Sequence, residues 1–460
     1  MSSCVHIQGC YPKHELQHGM RIPGGMLVAA LLGVFAFTGC RSDQPVMLLV
    51  SGDTAGWITP CGCASNQSGG LPRRGGLIVN SQREHAVVVV DAGGSAIGTG
   101  PYQRIKLLSL LNGLQTLGLQ AHNIGGPETQ FTPRELRELA SESGTNWLSA
   151  NLTADDGQPV GQKCLLVERS GLRIAITGIV DPQRVENPSW QAQDPIRSVL
   201  NALQSQAADV KVVLAYFDEG ELRALAESLP EVDYLIGGPT GQAMSPTKIG
   251  PVTVMSATNK GKFLAGITLA SEKSGFREID ASIVEVSSDI SENDAQLKNL
   301  KSYYAKLKQQ DFTAERAGLV QHMATDDTGY AIAGSESCAA CHQTDDAVWH
   351  DSKHAHAWEV LVAKSAEFDP HCQQCHTTGY GYSGGFENVA RSRELVHVGC
   401  ENCHGPSQAH VSDPRKRTPF QAKEQCLRCH DHENSPAFQF DPYWTKVLHA
   451  GSKTPGQVQQ

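Results

Sequence analysis

The sequence predicts a multidomain chain: an α/β domain followed by a mainly helical, loop-rich domain. Two observations carry this. Between Val46 and Val286, short apolar runs of strand length alternate with segments of helical period, the pattern of a layered α/β unit. Beyond Ala333 the aliphatic residues thin out while His, Gly and Pro rise, and the spacing Cys-x-x-Cys-His occurs four times. A hundred-odd residues that poor in aliphatics make a weak core unaided.

The N-terminus reads as a targeting segment. Gly24 to Phe37 is an apolar run too short for a membrane span. It runs into Phe37-Thr38-Gly39-Cys40, which resembles a bacterial lipobox, and the resemblance implies lipid attachment at Cys40. The region before the run is long and carries few positive charges, whereas Met20-Arg21 opens a more ordinary signal. Met20 is therefore the expected start, which would leave Cys4 and Cys10 untranslated. An uncleaved membrane anchor, or a wrongly assigned start with no lipid, is the competing reading; either way the chain is exported. The expectation is residues 1–40 as lipoprotein signal, with the mature protein lipid-anchored in the cell envelope or periplasm.

Residues 41–288 form the expected α/β domain. Val46 to Val50, Val87 to Val90, Ile174 to Ile179 and Val210 to Ala215 read as buried strands, and Tyr234 to Ile236 opens another. Leu107 to Leu119, Pro195 to Ala207 and Glu219 to Leu229 read as helices. Its landmarks include Gly52-Asp53-Thr54, Gly69-Gly70-Leu71-Pro72-Arg73-Arg74, Asp91-Ala92-Gly93, Ser149-Ala150-Asn151-Leu152, Asp233 to Gly238 and Asn259-Lys260-Gly261-Lys262. In this order they resemble the 5′-nucleotidase/UDP-sugar hydrolase branch of the metallophosphatases. The resemblance implies a metallophosphatase-like α/β sandwich whose loops carry a two-metal hydrolytic site. The sequence departs from that pattern where the metals belong. Asp53-Thr54-Ala55 stands for Asp-x-His, and Gly94 for the aspartate after Ala-Gly. Gly126-Pro127-Glu128 stands for Asn-His-Glu, a residue near Tyr216 for a histidine, and Gly238-Pro239-Thr240-Gly241 for Gly-His-x-His. Such a centre needs several oxygen and imidazole donors. Asp53 alone remains, with His122-Asn123 as one further ligand in another register. The expectation is a retained fold with hydrolysis lost.

Pro60-Cys61-Gly62-Cys63 follows Asp53 and resembles the C-x-C position of 5′-nucleotidase-like (seleno)proteins. Two thiols one glycine apart close only a small, strained ring, which is readily reduced. A redox dithiol at Cys61 and Cys63, a static disulfide and a metal half-site all remain open. Cys164, beside an apolar run, reads as a small buried residue.

Residues 289–332 read as a helical connector: Ser291 to Gln310 has a capping pattern, helical spacing and lysines on the opposite face.

Residues 333–460 hold the four motifs: Cys338/Cys341/His342, Cys372/Cys375/His376, Cys400/Cys403/His404 and Cys426/Cys429/His430. Cys-x-x-Cys-His is the attachment signature of c-type haem, two thiols for the vinyl groups and one imidazole for the iron. Zinc knuckles do not require a histidine directly after each pair. Four covalently attached haems are expected, and with them the apolar mass the segment lacks.

The spread of His354, His410 and His449 around these motifs resembles the cytochrome c-554 family of tetrahaem electron carriers. That resemblance implies His354, His410 and His449 as distal ligands, with His356 competing with His354. It also implies one haem lacking a sixth ligand. His371 and His397 remain candidates, while His350 and His432 read as surface residues.

The net charge of -10 and the lack of a long basic run exclude a nucleic-acid partner. The expected function is an exported multihaem electron carrier whose partners are redox proteins or quinone-linked donors. Two alternatives stand beside it: a redox enzyme acting at an open haem or at Cys61/Cys63, and, disfavoured, a metal-dependent phosphohydrolase with a haem appendage.

Overall fold

In the computed structural model, the structure describes residues 5–7, 44–60, 67–204, 206–273, 275–319, 331–418, 420 and 422–449. Cys40, Cys61 and Cys63 lie outside them. Among the described residues no helix is long and apolar enough to cross a membrane.

Two sheets pack face to face. One runs Gly275–Glu285, Phe263–Glu272, Val46–Ser51, Ala86–Asp91, Leu119–Asn123 and Trp147–Leu148, with the last four strands parallel. The other runs Val5–Ile7, Cys164–Arg169, Leu172–Val180, Val210–Tyr216, Tyr234–Gly238, Val252–Ser256 and Met244–Ile249. Val46–Ser51 illustrates how the sequence dictates this. Val46, Leu48 and Val50 point into the layer shared with Ile174, Ile176, Val212 and Leu214. Leu49 points the other way, against helices Leu71–Ser81 and Pro101–Thr116. Side chains alternate across a strand, so a continuous apolar run is one buried on both faces. Helices Pro195–Leu203 and Glu219–Ser228 cover the outer face of the second sheet, where Cys164 is also buried. The expected α/β sandwich is present.

Several element readings need correction. The helix expected over Leu107 to Leu119 spans Pro101–Thr116. Proline suits its first turn, Gly118 ends it at φ 83°, and Leu119 opens the next strand. Leu71–Ser81 is a helix despite Pro72, Gly75 and Gly76. The glycines are needed there, because a Cβ on Gly76 would lie 1.8 Å from the Ser291 carbonyl oxygen. The connector helix, Asp294–Gln310, is capped by Asn293 and is not a free spacer. Its Leu300, Tyr303 and Leu307 join the core beneath Pro101–Thr116, while Lys298, Lys301, Lys306 and Lys308 face solvent as expected. Structurally it is the last helix of the α/β domain.

Beyond residue 331 the chain forms short helices and loops around a small core of Ile332, Tyr380, Phe386 and Leu395. Helices Pro370–His376 and Cys400–His404 carry the second and third motifs, and the first and fourth lie at the ends of short helices. This domain docks on the first through the buried carboxylate of Asp369, which accepts hydrogen bonds from the hydroxyls of Tyr102 (2.7 Å) and Tyr303 (2.8 Å). The Asp311 carboxylate accepts from the Val389 and Ala390 amides, at 3.1 and 3.0 Å. Lys260 pairs with Glu433.

Candidate functional site

The four motifs are drawn together by a few carboxylates and carbonyls rather than by a large core. Glu401, buried inside the third motif, accepts from the amides of Ala333 (2.9 Å), Gly334 (2.8 Å) and Ser407 (2.7 Å). It thereby ties the entry to the first motif onto the third. Trp349 donates its indole N–H to the Val398 carbonyl at 2.8 Å, a second tie between those segments. Asp369 caps the second-motif helix by accepting from the His371 amide at 3.0 Å.

Cysteine contacts order the motifs in space. Cys338 of the first hydrogen-bonds Cys400 of the third. Cys403 of the third lies beside Cys426 and Cys429 of the fourth. Cys429 of the fourth hydrogen-bonds Cys375 of the second. The row therefore runs first, third, fourth, second.

None of the eight motif cysteines is joined in a disulfide, and seven of them are half-buried. Cys341 departs from this pattern: it is expected as an attachment site like the others, yet its side chain is exposed to solvent. The cause is its place at the outer end of the row. There the turn after helix Ser335–Ala339 faces outward, and the neighbouring His342 side chain is likewise 57% exposed. Of the first motif's two thiols, Cys338 is the one held against the third motif.

The histidines pair. His342 and His410 have ring centroids 6.4 Å apart, His354 and His430 6.2 Å, and His404 and His449 5.8 Å. An iron held by imidazole bonds of about 2 Å on each side sets the two rings at about this separation. In several of these rings Nδ1 is already engaged: by the Lys416 carbonyl for His410 (2.7 Å), the Val447 carbonyl for His449 (2.9 Å) and Ser435 Oγ for His430 (3.2 Å). That leaves Nε2 as the donor toward a metal, the outer-shell arrangement metal-bound histidine needs. Burial holds His354, His404 and His430 below the ordinary imidazole range, which favours the neutral, ligating form. The residues present thus fit c-type haem.

His376 differs. Its Nδ1 meets the Ala357 carbonyl at 2.6 Å, yet among the described residues no second histidine ring packs against it. The structure separates the competing pair: His354 is half-buried against His430, while the His356 side chain is 59% exposed and ion-paired with Glu359 at 3.1 Å. His397 takes the Trp358 amide on its Nδ1 at 3.3 Å, and His350 pairs with Asp346 at the surface. His371 turns away from the motif rings onto Trp57 of the α/β domain, with centroids 5.0 Å apart. Burial, and then Lys106, push it down to about 4.

A cavity of about 270 Å³ opens between the domains at the second motif, lined by Trp57, Pro60 and Lys106 on one side and Cys372, Cys375 and His376 on the other. Nothing periodic in the sequence marks Trp57, Lys106, Tyr102 or Tyr303 as part of this site. They belong to the core-facing side of an ordinary α/β domain.

The loops at Asp53, Gly94, Gly126 and Tyr216 pack closely against one another. A Cβ on Gly94, at φ 83°, would lie 2.6 Å from the Tyr216 ring. Tyr216 donates toward Asp53 Oδ1 at 3.5 Å, and Thr258 toward Oδ2 at 2.5 Å. His122 is spent on Ser95 and the Asn123 carbonyl, and Asn123 on the carbonyls of Ala92 and Ile179. Among the described residues no group of three or more His, Cys, Asp or Glu side chains is placed to hold a metal ion. Glu128, fully buried, accepts from the amides of Gly94, Ser95, Ala96 and Gly125 at 2.7 to 3.0 Å. Glu128→Gln turns an amide N–H₂ toward some of those donors. It should cost about 2 kcal/mol in urea unfolding; a cost near zero would mean the cradle is not holding these loops.

Residues 337–405 match the model of the family described as cytochrome c554 and c-prime. A curated relative, cytochrome c-554 of Nitrosomonas europaea, is 31% identical over 139 residues, covering 22% of this chain. The chain spans about three fifths, 59%, of that relative's length. Solved structures share the α/β fold. The 5′-nucleotidase precursor of Thermus thermophilus aligns at TM-score 0.50 and 19% identity, over 58% of this chain and 60% of its own. The sulfate thiohydrolase SoxB of Thermus thermophilus aligns at 0.51 and 17%, over 58% and 62%. The C-terminal region is thus similar to cytochrome c-554, and the large sheet domain has a 5′-nucleotidase-like fold.

Proposed function

We propose that this chain is an exported tetrahaem c-type cytochrome that takes up and passes on single electrons in the cell envelope, held to a membrane by lipid at Cys40. When bound at the four motifs, haem supplies one-electron redox chemistry along the row first, third, fourth, second. The protein's own work is to hold the sulfurs and imidazoles at that spacing and to keep the imidazoles neutral. In this reading His342, His376, His404 and His430 are the proximal ligands, and His410, His354 and His449 complete the first, fourth and third sites. The α/β domain serves as a scaffold without hydrolytic function. Redox proteins or quinone-linked donors are the partners that chemistry fits.

The observation that carries the reading is the histidine pairing: three of the four motif imidazoles face a second imidazole at 5.8 to 6.4 Å. Electron paramagnetic resonance of the matured, oxidised protein tests it. One high-spin signal is expected in the wild type, from the second motif, and two in His354→Ala. His356→Ala should leave the spectrum as it was. A second high-spin signal in His356→Ala, with none gained in His354→Ala, would reverse the assignment.

A second reading is favoured by His376 alone. A motif histidine without an imidazole partner, beside a cavity, suits a redox enzyme acting on a small ligand there. Uptake of nitric oxide by the high-spin fraction only would support it.

A further inference from the structure

Lys106 lies on helix Pro101–Thr116 of the α/β domain and is only 7% exposed. Its Nζ sits 5.9 Å from the Trp57 ring centroid and 5.5 Å from that of Tyr102, flanked by two aromatic faces. Among the described residues its one hydrogen-bond contact is the Tyr102 hydroxyl at 3.4 Å. Among the described residues no carboxylate forms an ion pair with it. An acid lining the same cavity, Asp369, has its two oxygens taken by Tyr102 and Tyr303. The other cation over Trp57, Lys260 at 5.4 Å, is paired with Glu433. A buried ammonium with protons to spare costs several kcal/mol unless an anion meets it. Lys106 lines the same cavity as Cys372, Cys375 and His376.

We propose that Lys106 is the anion-binding group of the second-motif pocket. It reaches across the domain boundary to hold a carboxylate or small oxyanion beside the haem attached there. The α/β domain is then a working wall of the haem site, and its fusion to the motif-bearing domain has a chemical reason. The proposal rests on the reading that the second motif carries a haem without a second imidazole. The anion has two sources of one chemistry: a propionate of that haem, or a free oxyanion from solution.

The test uses the full matured chain as wild type, Lys106→Met, Lys106→Gln and Lys106→Arg. Methionine keeps the packing over Trp57, and glutamine is a second neutral variant should methionine fail to mature. The ferric high-spin signal is titrated with nitrite and with imidazole, a neutral ligand, and the midpoint potential of that haem is measured. A free oxyanion at Lys106 predicts nitrite affinity weakened roughly tenfold or more in both neutral variants, imidazole affinity unchanged, and recovery in Lys106→Arg. A propionate at Lys106 predicts unchanged nitrite affinity and a midpoint potential lowered in both neutral variants, restored by arginine. Wild-type values for both measurements in the neutral variants overturn the proposal. A wild-type protein with no high-spin haem, blind to both nitrite and imidazole, instead removes the reading beneath it.

Discussion

Replacing Cys400 and Cys403 with alanine together should yield matured protein lighter by one haem, with its haem absorbance down by about a quarter, and a C-terminal domain that no longer unfolds cooperatively. The third motif is the hub of the site. Cys400 touches Cys338, Cys403 lies beside Cys426 and Cys429, and Glu401 between them anchors three backbone amides. The domain has little else to fall back on, since its apolar core is Ile332, Tyr380, Phe386 and Leu395 with a few neighbours. Removing a macrocycle from so small a core should cost at least what truncating a large core aromatic does, about 3 to 5 kcal/mol. Intact-mass spectrometry reads the first effect, and urea unfolding followed by circular dichroism the second. A double variant lighter than the wild type by its two sulfur atoms alone would show that these thiols never carried the group.

Asp369→Ala should destabilise the docking of the two domains by about 3 to 5 kcal/mol. The carboxylate is 6% exposed and does three things at once. It accepts the hydroxyls of Tyr102 and Tyr303, and it caps the second-motif helix through the His371 amide. Losing it leaves two buried hydroxyls without their acceptor, at about 1 to 3 kcal/mol each, and removes a cap of about 1 kcal/mol. Part of that cost is returned because a buried charge is removed. Burial, reinforced by the Asp369 charge, already holds both tyrosines far above their ordinary range, so they stay protonated donors at any ordinary pH. Asp369→Asn keeps one acceptor oxygen and should cost clearly less. The check is urea unfolding of the matured protein together with limited proteolysis between the domains. An Asp369→Ala protein as stable and as protease-resistant as the wild type would mean the clamp is incidental.

The expected haem attachment residues are readable from the chain because thioether chemistry is local: two cysteines and a histidine within five positions define each motif. What the motif does not carry is the enclosure of each thiol, which is why Cys341 looks equivalent to the other seven until the fold places it at the rim. The departures from the resembled metallophosphatase pattern are readable because each is a single change in a short motif. The α/β alternation is readable because a strand buried on both faces has no polar positions to interrupt it. The connector reads as separate because its amphipathic pattern says that one face is buried, not what buries it. Helix Leu71–Ser81 escapes a reading of the sequence because its glycines, unfavourable for a helix in isolation, serve a close approach to residue 291 that is remote in sequence.

By itself the sequence determined where haem is expected to be attached, where it departs from the resembled hydrolytic motifs and that a sheet domain precedes the Cys-x-x-Cys-His motifs. Only the tertiary structure decided the rest: that His410 meets His342, His449 meets His404 and His354 meets His430, and that His376 meets no histidine among the described residues. It also decided that Lys106 and Asp369 face one another's domains across the second motif. The reason is physical. Each histidine pair is a contact between residues 45 to 76 positions apart, and no periodicity or spacing in the chain encodes such a contact. The packing of short helices around Glu401 and Asp369 does.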